Sequence, residues 1–448
     1  MKKSIYTFFT VVCLAGTTQS VAQELSEDFK YRRSSLSMIL IETDNFPNKE
    51  AVMSSWNNYP FPDKYNKHEV DLKSFNIKSV VLTDQDLLKA GYLKDTLKTT
   101  LQITKAKAGL KNIKFLNTEQ TIGVVMPSEK EEYQLKIDKT INESKLANKL
   151  VASWFNRSAD GKFDMSLIQK RGYYNASELE ASIAQGQKKN MATLGDAGEE
   201  LIRNSFVTFT KLEFIENEPV AAFIRDAAKT EASSGGKPQL MVNAAHKAAD
   251  KIYEKTKEGY SLWSKTWLYR LNWNDSIASV FYNELWSKPS SFDKSDLFSL
   301  EFVGVQYNQS LVTFKLGETR TQEQIIDLAL VRNVENAFAE LQKDNDVFKP
   351  KVPILSVDPI TAQIGMKEGL KGGEKFDVLE MTQDPKTGLT EYIKVGSVTA
   401  DKKLIWDNRY NAGEKVEQVL DDKGNPINAT TFKGGKSLQP GMLLKQVK

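Results

Sequence analysis

The sequence predicts a multidomain α+β or α/β protein, with helices on a mixed central sheet followed by a small β-barrel or sandwich. Three observations lead there. Between about 140 and 348, apolar residues recur every four positions in some stretches and every two in others, so helices alternate with strands. Pro350-Lys351-Val352-Pro353 then interrupts the pattern as a domain boundary would. Past it, short β-like runs are separated by turn chemistry, as at Lys371-Gly372-Gly373, Asp422-Lys423-Gly424-Asn425 and Lys433-Gly434-Gly435.

The elements follow in chain order. Residues 1–22 read as a cleavable signal peptide, with Lys2 and Lys3 as its positive start, Ile5 to Gly16 as its apolar stretch and Ser20-Val21-Ala22 as its cleavage site. That stretch is shorter than the roughly 20 residues of a spanning helix. A mixed α/β region over 23–139 supplies strands at Ser35–Ile41 and Ile77–Leu82, a Pro- and Tyr-rich surface loop over Asn57–Lys67, and a helix from Asp84 to Leu101. The central domain, 140–348, opens with a helix that aligns Leu146, Leu150 and Trp154 on one face. A turn at Ser158–Gly161 leads to a strand over Phe163–Ile168, and a capping box marks a helix over Ser177–Gln187. Helical turns over Leu194–Arg203 run into a strand at Phe206–Phe214. A helical insertion near 218–258 places Val220–Lys229 and Val242–Thr256 about a flexible Ser233-Ser234-Gly235-Gly236 joint. Tyr260–Trp273 has the period of a strand, Leu300–Val305 and Leu311–Leu316 read as a hairpin, and Thr321–Leu341 is the last helix. Residues 349–448 form the small β domain.

Composition narrows the chemistry. The net charge is +3, and no segment concentrates Lys and Arg, so nucleic acid is not an expected partner. Cys13 is the only cysteine and lies in the signal peptide, so the mature chain has no disulfide, thiolate nucleophile or cysteine-held metal. His68 and His246 are the only imidazoles, and neither has a second His or carboxylate at ligand spacing. Gly435-Lys436-Ser437 ends like a phosphate loop, but Thr430 stands where that loop needs Gly. Asn156–Gly161 opens like a calcium loop, but Leu167 stands where the bidentate Glu belongs. Leu194–Glu200 is read as an acidic helix start. No catalytic motif, cofactor or metal is expected.

One pattern offers a ligand site. Trp263, Trp267, Tyr269, Leu271 and Trp273 all occupy odd positions, so they share one strand face, with Lys265 the only charge among them. Rings in that array either stack on glycan faces or pack as core, and core is the commoner use.

From Leu146 onward the order of elements resembles a known group. It runs from the LANKLVASWF helix through the FDMSLIQKR strand with its terminal Arg, two helices and the EELIRNSFVTF strand, to a late helix and a small β domain. This resembles exported assembly proteins of the curli-secretion and flagellar-assembly T type. The resemblance implies an α/β domain and a C-terminal SH3-like barrel, whose glycine-led strand would be Lys371–Val378. It departs from the curli-type proteins in lacking a lipoprotein cysteine or membrane hairpin, which argues against pore formation. The Ala-Gln-Glu start and the Lys/Asn/Tyr-rich style also resemble secreted Bacteroides-type Gram-negative envelope proteins. The expectation is a non-enzymatic protein of the periplasm or outer-membrane surface that binds another envelope protein, its membrane association peripheral at most. The alternative is a glycan-binding or glycan-cleaving protein that uses the aromatic strand.

Overall fold

The structure, a computed structural model, describes residues 31–44, 46–92, 128–174, 198–234, 236, 238–313, 321–384, 390–410, 419–421 and 424–447. The expected signal peptide and the helix over Ser177–Gln187 lie outside these residues. The expected helix over Asp84–Leu101 ends at Lys89, where Ala90 caps it and Gly91 turns with φ of 83°, with 93–101 outside the described residues.

The strands are β1 (Ser35–Glu42), β2 (Asn66–Lys67), β3 (Ser74–Asn76), β4 (Ser205–Glu216), β5 (Gly259–Leu271), β6 (Leu300–Thr313), β7 (Lys351–Val357), β8 (Ile360–Ala362), β9 (Lys375–Gln383), β10 (Thr390–Ala400), β11 (Thr430–Gly434) and β12 (Leu443–Gln446). The helices are α1 (Lys49–Asn57), α2 (Asp84–Lys89), α3 (Glu129–Glu143), α4 (Leu146–Trp154), α5 (Ser166–Tyr174), α6 (198–203), α7 (Asn217–Ser234), α8 (Gln239–Thr256), α9 (Asp275–Val280), α10 (Pro289–Lys294) and α11 (Gln322–Asp344).

The first six strands make a mixed sheet in the order β2-β1-β4-β5-β6, with β3 also on β1. β1 runs parallel to its neighbours, while β4, β5 and β6 are antiparallel. β1 and β4 therefore join the N-terminal region and the central segment in one sheet. The other six strands close a separate antiparallel barrel, β10-β11-β8-β7-β12-β9. Gly372 enters β9 with φ of 99°, and a Cβ there would lie 2.6 Å from Lys402 Cα, so this turn requires glycine.

Strand alternation sorts the side chains between two helical layers. Leu36, Leu40, Phe206, Leu212, Leu262 and Leu268 face α1 and α11. Ile39, Ile41, Val207, Phe209, Trp267 and Tyr269 face α3 and α4. A third cluster, rich in rings, closes the sheet end with Trp154, Phe155, Phe163, Trp273, Phe281 and Phe292.

Several expectations are corrected. Phe163–Ile168 is not a strand: the Asp164 carboxylate accepts the Ser166 N–H at 2.8 Å and starts α5, which places Arg171 on a helix. Ile77–Leu82 is not a strand either, because Asn76 caps a short 3-10 turn over Ile77–Ser79 and the strand lies just before it. The expected hairpin over Leu300–Val305 and Leu311–Leu316 is, as far as Thr313, one continuous strand, since β5 offers β6 a pairing edge from Leu271 to Gly259. The Pro- and Tyr-rich stretch is not a surface loop: Tyr59 and Tyr65 are buried, and Tyr65 donates to the Phe348 carbonyl at 2.7 Å. Finally, α3 was not foreseen, although Ser128 and Glu131 form its capping box.

Candidate functional site

The aromatic strand divides along its length. Trp267 and Tyr269 are each 1 % exposed, and Trp267 stacks on Tyr133 of α3 with centroids 6.1 Å apart. The Tyr269 hydroxyl donates to Asp138 at 2.6 Å, while burial pushes the Asp138 carboxyl above the usual range. Trp273 lies past the end of β5 among Phe155, Phe281 and Phe298, and its indole N–H donates to Glu199 at 2.7 Å. These three rings are packed core. Trp263 alone is at the surface, 48 % exposed.

Around Trp263 the sheet is open among the described residues. Successive rows across β4, β5 and β6 read Phe209–Trp267–Val305, Lys211–Lys265–Tyr307 and Glu213–Trp263–Gln309. Tyr133 and Ile137 of α3 pack on the first row, and Lys211, Lys265, Tyr307, Glu213 and Trp263 of the next two line a groove of about 300 Å³ whose wall includes Tyr133. The Lys211 ammonium lies 4.3 Å over the Tyr133 ring and pairs with Glu213. The Lys265 ammonium lies 4.3 Å over Trp267 and 5.1 Å over Tyr307.

A second surface comes from α7 and α8, the helices of the expected insertion. Their root is pinned by buried Asn217, which donates to the Glu258 carbonyl at 3.1 Å and accepts from the Ser261 hydroxyl at 2.8 Å. Their tip is tied by His246, whose Nε2 lies 3.0 Å from the Ser233 hydroxyl and 3.1 Å from the Lys229 carbonyl. Ala221, Ala232, Val242 and Ala249 fill the seam between them. Each helix carries a further apolar stripe that nothing in the chain covers among the described residues. Val220 and Ile224 on α7 are 44 % and 55 % exposed, and Met241 and Ile252 on α8 are 61 % and 56 % exposed. The two stripes lie on the same side of the hairpin, because Val220, Ile224, Ala228 and Ile252 line one groove of about 160 Å³.

The remaining polar clusters serve structure. His68 is buried, stacked on Trp154 at 4.6 Å, with its Nδ1 2.9 Å from an Arg171 N–H and its Nε2 3.1 Å from the Leu150 carbonyl. Arg171 donates, so Nδ1 accepts and Nε2 carries the proton. Burial, together with the Arg171 charge, holds this imidazole down at about 3. Glu200 of α6 joins sheet and barrel, accepting from Lys351 at 3.1 Å and from Tyr392 at 2.7 Å beside Arg33. Burial lowers the Lys351 amine and raises the Tyr392 hydroxyl. Thus the acidic segment of the sequence supplies Glu199 and Glu200 as packing and docking groups. The residues that resemble a calcium loop make a capped turn, with Asn156 donating to Asp164 at 3.1 Å. Among the described residues no group of three His, Cys, Asp or Glu side chains is placed to hold a metal, and no helix is long and apolar enough to cross a membrane.

Compared with models of known families the chain matches none, and no curated protein sequence matches it.

Proposed function

We propose that the chain is an exported, non-enzymatic assembly module of the cell envelope, and that it docks through the apolar side of the α7–α8 hairpin onto a second copy of itself. The observation that carries this reading is the hairpin's uncovered stripe together with its charges. By helical spacing Glu231, seven residues past Ile224, falls on that side near the tip of α7, and Lys255, three past Ile252, near the root of α8. Arg225, which also lines the groove, lies over the Tyr253 ring and pairs with Asp226. At 1.5 Å per residue Glu231 and Lys255 are about 20 Å apart along the hairpin, too far to pair within one copy. Two copies packed antiparallel place each Glu231 beside the other's Lys255, and a parallel pair would oppose like charges. Alanines at 227, 228, 244, 245 and 248 keep the middle of the stripe shallow enough for helices to approach closely.

Export rests on the signal-like first 22 residues, and the periplasm or outer-membrane surface is the proposed location. The resemblance to curli-secretion and flagellar-assembly proteins supports an assembly role, although the expected 163–168 strand in its order of elements is replaced by α5. The barrel formed by β7–β12 is proposed to be SH3-like and to be the C-terminal module of the envelope protein.

Analytical ultracentrifugation tests the docking surface. The parent protein should sediment as a dimer at tens of micromolar, and Ile224→Glu with Ile252→Lys should sediment as a monomer with an unchanged circular dichroism spectrum. Glu231→Lys and Lys255→Glu should each weaken the dimer, and the double variant should restore it. A parent protein that stays monomeric at about 200 µM, or a double variant no tighter than the single ones, overturns the proposal.

A further inference from the structure

The open end of β5 presents a second exposed surface, formed by sheet strands rather than by the hairpin. Its rings are placed to stack rather than to pack: Trp263 is 48 % exposed and Tyr307 54 % exposed, on the same face of adjacent strands. Flat, half-exposed rings beside polar groups suit ligands with one apolar and one polar face, as a saccharide ring has. Glu213 and Gln309 are the cross-strand partners of Trp263, and Glu213 and Ser264 line the groove with it.

The charge arrangement adds a sign. Lys211 and Lys265 stand directly opposite each other across β4 and β5. Like charges in that register destabilise a sheet, so a fold retains them where something compensates. Glu213 compensates Lys211 through their ion pair. The Lys265 ammonium instead rests against the Trp267 and Tyr307 rings, at the wall of the groove beside Trp263. Two lysines against one glutamate leave the groove with one net positive charge. The volume of about 300 Å³ is at the small end for a ligand site and fits a short oligosaccharide segment rather than a large cofactor.

We infer that this groove binds an acidic saccharide, with sugar faces stacked on Trp263 and Tyr307 and a carboxylate or sulfate group held by Lys265. The groove and the hairpin share no lining residue, although Ser261 of the hairpin groove is only two positions from Trp263, so each can be tested by its own variants.

Calorimetry and Trp fluorescence with three probes test it: trigalacturonate, a sulfated galactose trimer and neutral galactotriose. At least one acidic trimer should bind saturably, roughly tenfold or more tighter than the neutral one, and weaken as salt rises. Which acidic trimer binds identifies carboxylate or sulfate as the anion. Trp263→Ala should abolish binding without shifting the melting temperature. Lys265→Gln should remove the preference for acidic over neutral sugar while leaving stacking. No saturable binding of either acidic trimer, equal binding of the neutral one, or acidic binding that survives Trp263→Ala would each overturn the inference. The hairpin variants Ile224→Glu and Ile252→Lys should bind the sugar as the parent does, which keeps the two readings distinguishable.

Discussion

Trp267 and Trp263 lie four residues apart on the same face of β5, yet one is 1 % exposed and the other 48 %. Nothing in the strand makes that difference. It comes from α3, which presents Tyr133, Ile137 and Ile141 to the sheet and, among the described residues, leaves the last rows of the face uncovered. A tryptophan is therefore core or platform according to where its cover stops, and an identical side chain takes on either role.

Three measurements press on this contrast. The largest effect is expected at the covered end: Trp267→Ala should cost about 3–5 kcal/mol, a sizeable part of an ordinary domain's stability. A loss below about 1 kcal/mol would mean that α3 does not hold the ring as described. The next effect is a pH dependence under α4. His68 is held at about 3 when folded, against 6.5 for an ordinary imidazole. Below pH 6.5 the unfolded chain takes up a proton that the folded chain refuses, so stability present above that pH is lost as pH falls toward 3. Between pH 7 and pH 5 the loss from this group is about 2 kcal/mol. His68→Gln, which keeps a donor and an acceptor, should lose less over the same range, and parallel pH profiles for the two proteins would refute the assignment. The smallest effect belongs to the open end: Trp263→Ala should melt within about two degrees of the parent. A large drop there would make Trp263 a core residue and remove the platform.

The sequence showed the period of β5, the long helix α11 and the two insertion helices, because each has strong, regular apolar spacing. It misread shorter stretches where one capping side chain decides the backbone. Asp164 turns an alternating Phe-Asp-Met-Ser-Leu-Ile run into a helix start, and Asn76 converts the run after it into a 3-10 turn that leaves Val81 71 % exposed. It also missed α3, where Tyr133, Ile137 and Ile141, with Leu135 off their face, rise from a charged background, although the Ser128–Glu131 capping box was visible. The groove beside Trp263 was beyond sequence reasoning for a different reason. Lys211, Lys265 and Tyr307 become neighbours only through strand register, which local patterns do not specify. The hairpin's exposed stripe left a trace, since α7 and α8 are apolar on more than the one side they need for each other.

The hairpin leaves the sheet after Glu216 and re-enters near Tyr260, and these two residues are direct cross-strand partners. The ladder between β4 and β5 would thus be complete if a tight turn replaced everything between them. The insertion is an accessory to the ladder, tied to it at its root through Asn217 and Ser261 and free to vary beyond that point. A hairpin-deleted protein should keep the β4–β5 pairing and the groove beside Trp263 and lose the surface proposed for docking.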